Sequence, residues 1–260
     1  DYTIGVPILK SPFTGFSQFV RIFSRGSQFF LVMRNTLVFN MLGLACMAIP
    51  PVFAIFLSEL HGKYLKRITQ TVTAFPYFLS WIIIYALFFN FLSNDGIINN
   101  LLLDMNIIDR PVQFLQRLDF VWPMQTAIAV WKDMGWNAII YISAISSINQ
   151  EMYEAATMDG ATRFQKAVYI TIPSIMSTFL VLLILRIGNM FSGFDQQFMF
   201  FNGVVAERME VLDTFAYRKG LSAGDFSFAT AVSIFKTFVS FILIFTTNRI
   251  AKIVQGKAII

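Results

Sequence analysis

NTLVFNMLGLACMAIPPVFAIFLS, residues 35–58, holds no Asp, Glu, Lys or Arg in 24 positions, and ITQTVTAFPYFLSWIIIYALFFNFLSN, residues 68–94, holds none in 27. About 20 apolar residues rising ~1.5 Å each cross ~30 Å of hydrocarbon, so both runs are long enough to span a bilayer. Three weaker runs follow at 122–148, 175–198 and 226–248, interrupted by Lys132-Asp133, Arg186 and Lys236 respectively. A lone strand cannot satisfy its backbone in lipid, so the reading is five helical spans in an all-α integral membrane protein. Pro50-Pro51 and Pro76 interrupt the first two runs, which neighbouring helices can repair. Composition agrees. Hydrophobic residues make up 56% of the 260 and charged residues 13%, with 30 Phe. That excludes both a soluble globular surface and a disordered chain. The one cysteine, Cys46, excludes an intrachain disulfide and a cysteine-built metal site. The net charge of +5 reads as basic loops beside anionic lipid and not as a nucleic-acid surface.

The polar joints alternate sides. Residues 59–67, 149–174 and the tail from 249 form one group, with 8 Lys and Arg in 47 residues and 4 acids. Residues 1–34, 93–121 and 199–225 form the other, with 9 in 90 and 9 acids. The denser positive charge places the first group, the C-terminus included, in the cytoplasm. Residues 1–34 then form an external segment before a transmembrane domain over 35–260. No basic start and apolar run follow Asp1, so this segment is not read as a signal peptide. Phe16, Phe19, Val20 and Phe23 recur at i, i+3, i+4 and i+7, with Arg21 and Arg25 off that stripe. This predicts a short helix, lying in the interface or packed on the spans.

The loop 149–174 carries the strongest local signals. Residues 151–158 favour helix, Gly160 can take the left-handed conformation that ends one, and Asp159 or Thr162 can cap the next. Thr162 and Gln165 have capping-box spacing. The expected product is a small Ala-faced helical knuckle with Glu154, Asp159 and Arg163 exposed, suited to a groove on another protein, or else a plain connecting loop.

Glu154, Ala155 and Ala156, then three residues to Gly160, nine more to Ile170, and Ile172-Pro173 reproduce the signature of permease subunits of binding-protein-dependent ABC importers. The chain resembles that family, departing only by Ile172 for Leu. Residues 130–137, 213–221 and 226–231 are similar to its carbohydrate-uptake branch, above all permeases for oligosaccharides and polysaccharide fragments. The resemblance implies the type I ABC importer permease fold and a division of labour. A second permease subunit, more often unlike than identical, completes the pathway, and two ATPase subunits that bind ATP and Mg drive it. An extracellular or periplasmic solute-binding protein delivers the solute. The coupling helix would be built from Glu154, Ala155, Ala156, Asp159, Gly160, Ala161 and Arg163. Such subunits usually have six spans, so the family's first span is expected to be absent from this chain. A permease for an amino acid or peptide shares the same loop and stays open as an alternative.

Lys132, Asp133, Arg186 and Lys236 lie within spans, where each charge costs ~2.5–3.5 kcal/mol or more at mid-bilayer. Two readings follow. They line a translocation cavity with Trp131, Trp136, Asp195, Gln196 and Gln197, where a net positive charge favours an acidic saccharide. Alternatively, Lys132 and Asp133 pair or sit at the interface, and Arg186 and Lys236 tie helices together. No catalytic set is expected. Gly62-Lys63 and Gly256-Lys257 lack the context of a nucleotide-binding loop, so the chain should not hydrolyse ATP. The lone His61 cannot complete a Ser-His-Asp set and reads as solvated. An integral-membrane enzyme on lipid-linked sugars would need clustered carboxylates or an interfacial His, which the scattered acids do not supply. No metal site is expected either.

Overall fold

The computed structural model describes residues 2, 7–24 and 26–255, and among these it is helical with no strand. The helices in chain order are α1 (Ser17–Ile22), α2 (Phe29–Ala45), α3 (Ile49–Ser58), α4 (Lys63–Ala74), α5 (Trp81–Leu92), α6 (Ile97–Asp104) and α7 (Leu118–Ser146). Then come α8 (Gln150–Met158), α9 (Arg163–Lys166), α10 (Ile172–Gly188), α11 (Asp195–Phe200), α12 (Ala206–Met209), α13 (Leu212–Tyr217) and α14 (Phe226–Gln255). Arg25 and the Gly256-Lys257 pair lie outside the described residues.

Among the described residues four stretches are long and apolar enough to cross a membrane: Phe29–Ser58, Trp81–Asp104, Arg163–Gly188 and Phe226–Arg249. The first begins ahead of the charge-free run and carries Arg34, so the expected boundary between residues 34 and 35 falls inside α2. Its prolines do not break it. A 3₁₀ turn, Cys46–Ala48, leads into α3, and Pro50 and Pro51 sit in the first turn of α3, where a missing N–H costs little. The run 68–94 is not one helix. A 3₁₀ turn, Phe75–Phe78, and extended Leu79 separate α4 from α5, and the apolar crossing stretch starts at Trp81. Ser80 caps α5, its hydroxyl accepting from Ile83 N at 3.4 Å. The expected third span forms α7, 29 residues long, but Lys132-Asp133 and its polar residues keep it out of the apolar set. The fourth starts earlier than expected, at Arg163, running through a π-helical turn, Ala167–Thr171, into α10. It stops at Gly188, so Asp195, Gln196 and Gln197 belong to the separate helix α11.

The chain divides into two compact units. One contains Asp1–Leu42, Ser80–Gln125 and Gly188–Phe245. An aromatic cluster runs from buried Phe29 to half-buried Phe235 and exposed Phe23, the three rings mutually edge-on at 5.4–5.5 Å. α2 anchors the segment before α13: Asn35 Nδ2 donates to the carbonyls of Glu207 (2.9 Å) and Glu210 (3.0 Å), and Leu212 N donates to Thr36 Oγ1 (3.1 Å). These bonds satisfy two polar side chains buried in an apolar helix. The expected amphipathic stripe near the N-terminus does form part of α1, yet Phe16 and Val20 are exposed and Ile22, off the stripe, is buried.

The other unit contains Gly43–Leu79, Thr126–Ile187 and Thr246–Ile260. Ala54, Ala138, Tyr141 and Ile175 form its buried centre, drawing α3, α7 and α10 together. Gly135 on α7 lies against the backbone of α4, where a Cβ would sit 2.0 Å from Thr73 O. In the four crossing stretches only 11–17% of the apolar window is buried within the chain. Most of that surface is therefore left for lipid or another subunit.

Candidate functional site

The loop after α7 folds as a rigid elbow, and each of its bonds follows from local sequence. Asn149 caps α8, its side chain accepting from Glu151 N at 3.0 Å, with Glu151 in the favourable first turn. α8 ends at Asp159. Gly160 takes φ +77°, and Ala161 N→Ala156 O (2.8 Å) and Gly160 N→Thr157 O (3.0 Å) complete the paired bonds of a Schellman ending. Thr162, not Asp159, caps α9: Gln165 N donates to Thr162 Oγ1 (3.3 Å), and Thr162 N donates to Gln165 Oε1 (2.7 Å).

Longer-range bonds fix the elbow on its unit. The hydroxyls of Tyr153 and Thr171 share a hydrogen bond of 2.8 Å across the π-helical turn, and Lys166 Nζ donates to Thr157 Oγ1 at 3.2 Å. His61, expected to be merely solvated, meets Arg163 Nη2 at 3.4 Å, so the basic turn before α4 touches the elbow. Glu154, Ala155, Asp159, Gly160 and Arg163 are exposed, and Ala156 and Ala161 half-buried. Sequence reasoning missed the apolar part of the tip. Met158 is 89% exposed and Phe164 77%. Their signal was available: two large apolar side chains flanking a glycine turn in a polar loop.

The residues expected to line a path fall into three groups. Lys132 is buried, and its ammonium donates to the carbonyls of Pro76 (3.2 Å), Tyr77 (2.6 Å) and Leu79 (3.0 Å). It holds together the break between α4 and α5. Neighbouring Trp136 stacks on Tyr77 (4.8 Å, 6°) with Phe78 edge-on at 5.5 Å. Half-buried Asp133 lies within the electrostatic reach of Lys132 and Arg186. Arg186 is exposed, with its guanidinium over Gly43. Trp131 and Trp136 also keep exposed surface.

In the other unit Lys236 Nζ pairs with Asp213 Oδ1 at 2.5 Å, and Asp213 Oδ2 accepts from Gly193 N at 2.9 Å, tying α14 to the turn before α11. Gln196 is buried and donates to Gln125 O (2.7 Å) and Oε1 (2.8 Å). Gln197 is buried against Gly193, and Asp195 is exposed. Lys236 ties elements together through Asp213, whereas Lys132 bonds backbone carbonyls, a partner neither reading named.

A helical protein with several membrane-length apolar stretches and an exposed, doubly capped elbow has the parts of a transporter's membrane subunit. The chain belongs to the family described as binding-protein-dependent transport system inner membrane component, whose model matches residues 47–259. It is 38% identical to the polygalacturonan/rhamnogalacturonan transport system permease protein YteP of Bacillus subtilis (strain 168), over 97% of this chain and 78% of that protein. Two solved structures are similar throughout. One is a bacterial ABC transporter involved in the import of the acidic polysaccharide alginate (TM-score 0.90, 32% identity, 95% of this chain and 86% of that one). The other is a bacterial alginate ABC transporter in complex with an alginate pentasaccharide-bound periplasmic protein (0.89, 33%, 94% and 85%). The chain is accordingly a permease subunit of the type I ABC importer fold, and not an enzyme.

Proposed function

We propose that this permease forms one half of the membrane pathway of an ATP-driven importer for oligosaccharides or polysaccharide fragments. The saccharide class is supported by the names of YteP and of the alginate transporters. The elbow, residues 154–163, docks in a groove of a partner ATPase, and the observation that carries this is its construction. Two capped helices meet at an obligatory left-handed glycine, with Met158 and Phe164 held out beside Glu154 and Arg163. An apolar tip ringed by charge is the form of a docking anchor.

Two such ATPases bind ATP and Mg. Their closure pulls two elbows together and shifts the spans between inward-open and outward-open states, the saccharide biasing that equilibrium only through its differential affinity. The second permease is an unlike subunit, and a solute-binding protein delivers saccharide from outside. Residues 59–67, 149–174 and the C-terminus face the cytoplasm, residues 1–34, 93–121 and 199–225 face outward, and α7 makes the fifth crossing.

The test is reconstitution with the partner permease, ATPase and binding protein. Glu154→Lys and Met158→Ser are each expected to weaken ATPase association by about tenfold or more. Saccharide-stimulated ATP hydrolysis and uptake should fall with it, while the permease stays monodisperse. Full ATPase retention by both variants would remove the elbow from coupling, and uptake of amino acids in place of saccharide would overturn the substrate class.

A further inference from the structure

The positive charge that an acidic solute requires is not at Lys132 or Lys236, and a different pair of cations is placed to provide it. In one unit, residues from two segments read as external meet the first residue of the third expected span, Trp122. Arg34 comes from α2, Trp122 from the start of α7, and Arg208 from α12. The Arg34 guanidinium carbon lies 5.5 Å from the Trp122 ring centroid and that of Arg208 4.8 Å. The group is held by backbone carbonyls and by the Asn35 side chain, whose Oδ1 also accepts from Arg34 Nε at 3.4 Å. Trp122 Nε1 donates to Arg208 O (2.9 Å), Arg208 Nη1 to Leu118 O (3.1 Å), and Arg34 Nη2 to Glu207 O and Asn35 Oδ1 (3.2 Å each).

Among the described residues neither guanidinium forms an ion pair. Three other arginines of the external segments are neutralised, while exposed Arg110 forms no ion pair among the described residues but has no aromatic ring or second guanidinium beside it. Arg21 pairs with Asp225, Arg218 with Glu210, and Arg117 with Asp119 at 2.8 Å. The hydrogen bond from Arg117 holds the Asp119 carboxyl below its usual range, so this acid, whose charge also reaches Arg208, stays ionised and engaged with Arg117.

Guanidinium groups are permanently charged and match a carboxylate in two-point geometry, and an indole accepts the C–H face of a sugar ring. We infer that Arg34, Trp122 and Arg208 form a subsite for the carboxylate of a uronic-acid residue at the external mouth of the permease. The inference rests on the saccharide reading above and goes further, assigning acidity to the solute and its recognition to these three side chains.

Equilibrium binding to the assembled transporter in nanodiscs, without binding protein, tests it. The probes are a galacturonate oligomer and the same oligomer with its carboxyls reduced to hydroxymethyl groups. The wild type should bind the acidic oligomer at least about tenfold more tightly, with an affinity that falls as salt rises. Arg34→Gln/Arg208→Gln should erase that preference, and Arg34→Lys/Arg208→Lys should restore part of it. Should the double variant fail to assemble, each single Gln substitution still has to reduce the preference. Equal or undetectable binding of the two oligomers by the wild type overturns the subsite and leaves the saccharide reading to the uptake assay. A Gln substitution that instead weakens docking of the ligand-free binding protein assigns the arginines to that protein and also overturns it.

Discussion

Lys132 is a buried cation whose ammonium caps three carbonyls, and that arrangement decides what losing it does. Pro76, Tyr77 and Leu79 lie where the chain leaves α4, turns through 3₁₀ and enters α5; Pro76 O also accepts from Leu79 N (3.2 Å), but the Tyr77 and Leu79 carbonyls have no continuous helix to bond within. Lys132→Met keeps the stem and removes every donor. Stranding these acceptors should cost about 3 kcal/mol, a fall of about 6–12 °C in the thermal midpoint of the detergent-solubilised protein followed by circular dichroism. A side chain serving solute instead of structure would leave that midpoint unmoved and lower uptake alone. Lys236 follows the same logic with an acid in place of carbonyls, since Asp213 binds it through one oxygen and Gly193 N through the other.

The elbow is built from signals that act over four residues, and a change to one of them should stay local. Thr162→Ala removes the acceptor for Gln165 N and half of the capping box, at a cost of about 1 kcal/mol. Hydrogen exchange should then speed up across residues 150–166 while the helices around Ala54, Ala138 and Tyr141 keep their protection. Faster exchange in α3 and α7 as well would mean the elbow is part of that core. This locality is why the elbow was readable from sequence: Gly160, Thr162 and Gln165 declare their roles by spacing alone. The break between α4 and α5 was not, because an uncharged run reads the same whether its helix is straight or broken. What keeps the break open is Lys132, some 55 residues away in sequence, with the close approach of Gly135. The His61–Arg163 and Tyr153–Thr171 contacts were hidden for the same reason, as were Arg34 and Arg208, which look like ordinary loop charges until α2 and α12 bring them to one indole.

Across the whole molecule the open quantity is the number of crossings, and it turns on α7. Its 29 residues reach about 43 Å at 1.5 Å each, more than the hydrocarbon thickness, yet Lys132 and Asp133 keep its composition below that of the four apolar stretches. Burial removes the objection to those charges, since Lys132 enters its own unit bonded to carbonyls and does not face lipid. Charge density along the joints requires Met105 outside, Met158 inside and Val204 outside, and the elbow's docking role independently requires Met158 inside. Only α7 lies between the first two as a possible crossing, and only the α9–α10 stretch between the second and third. The chain's one cysteine makes this measurable. In a Cys46→Ser background, a cysteine placed singly at each of these exposed positions is probed with a membrane-impermeant maleimide. Right-side-out vesicles should label positions 105 and 204, and inside-out vesicles position 158. If 105 and 158 react from the same face, α7 does not cross, the four apolar stretches are the whole count, and the elbow and C-terminus lose their assigned side together.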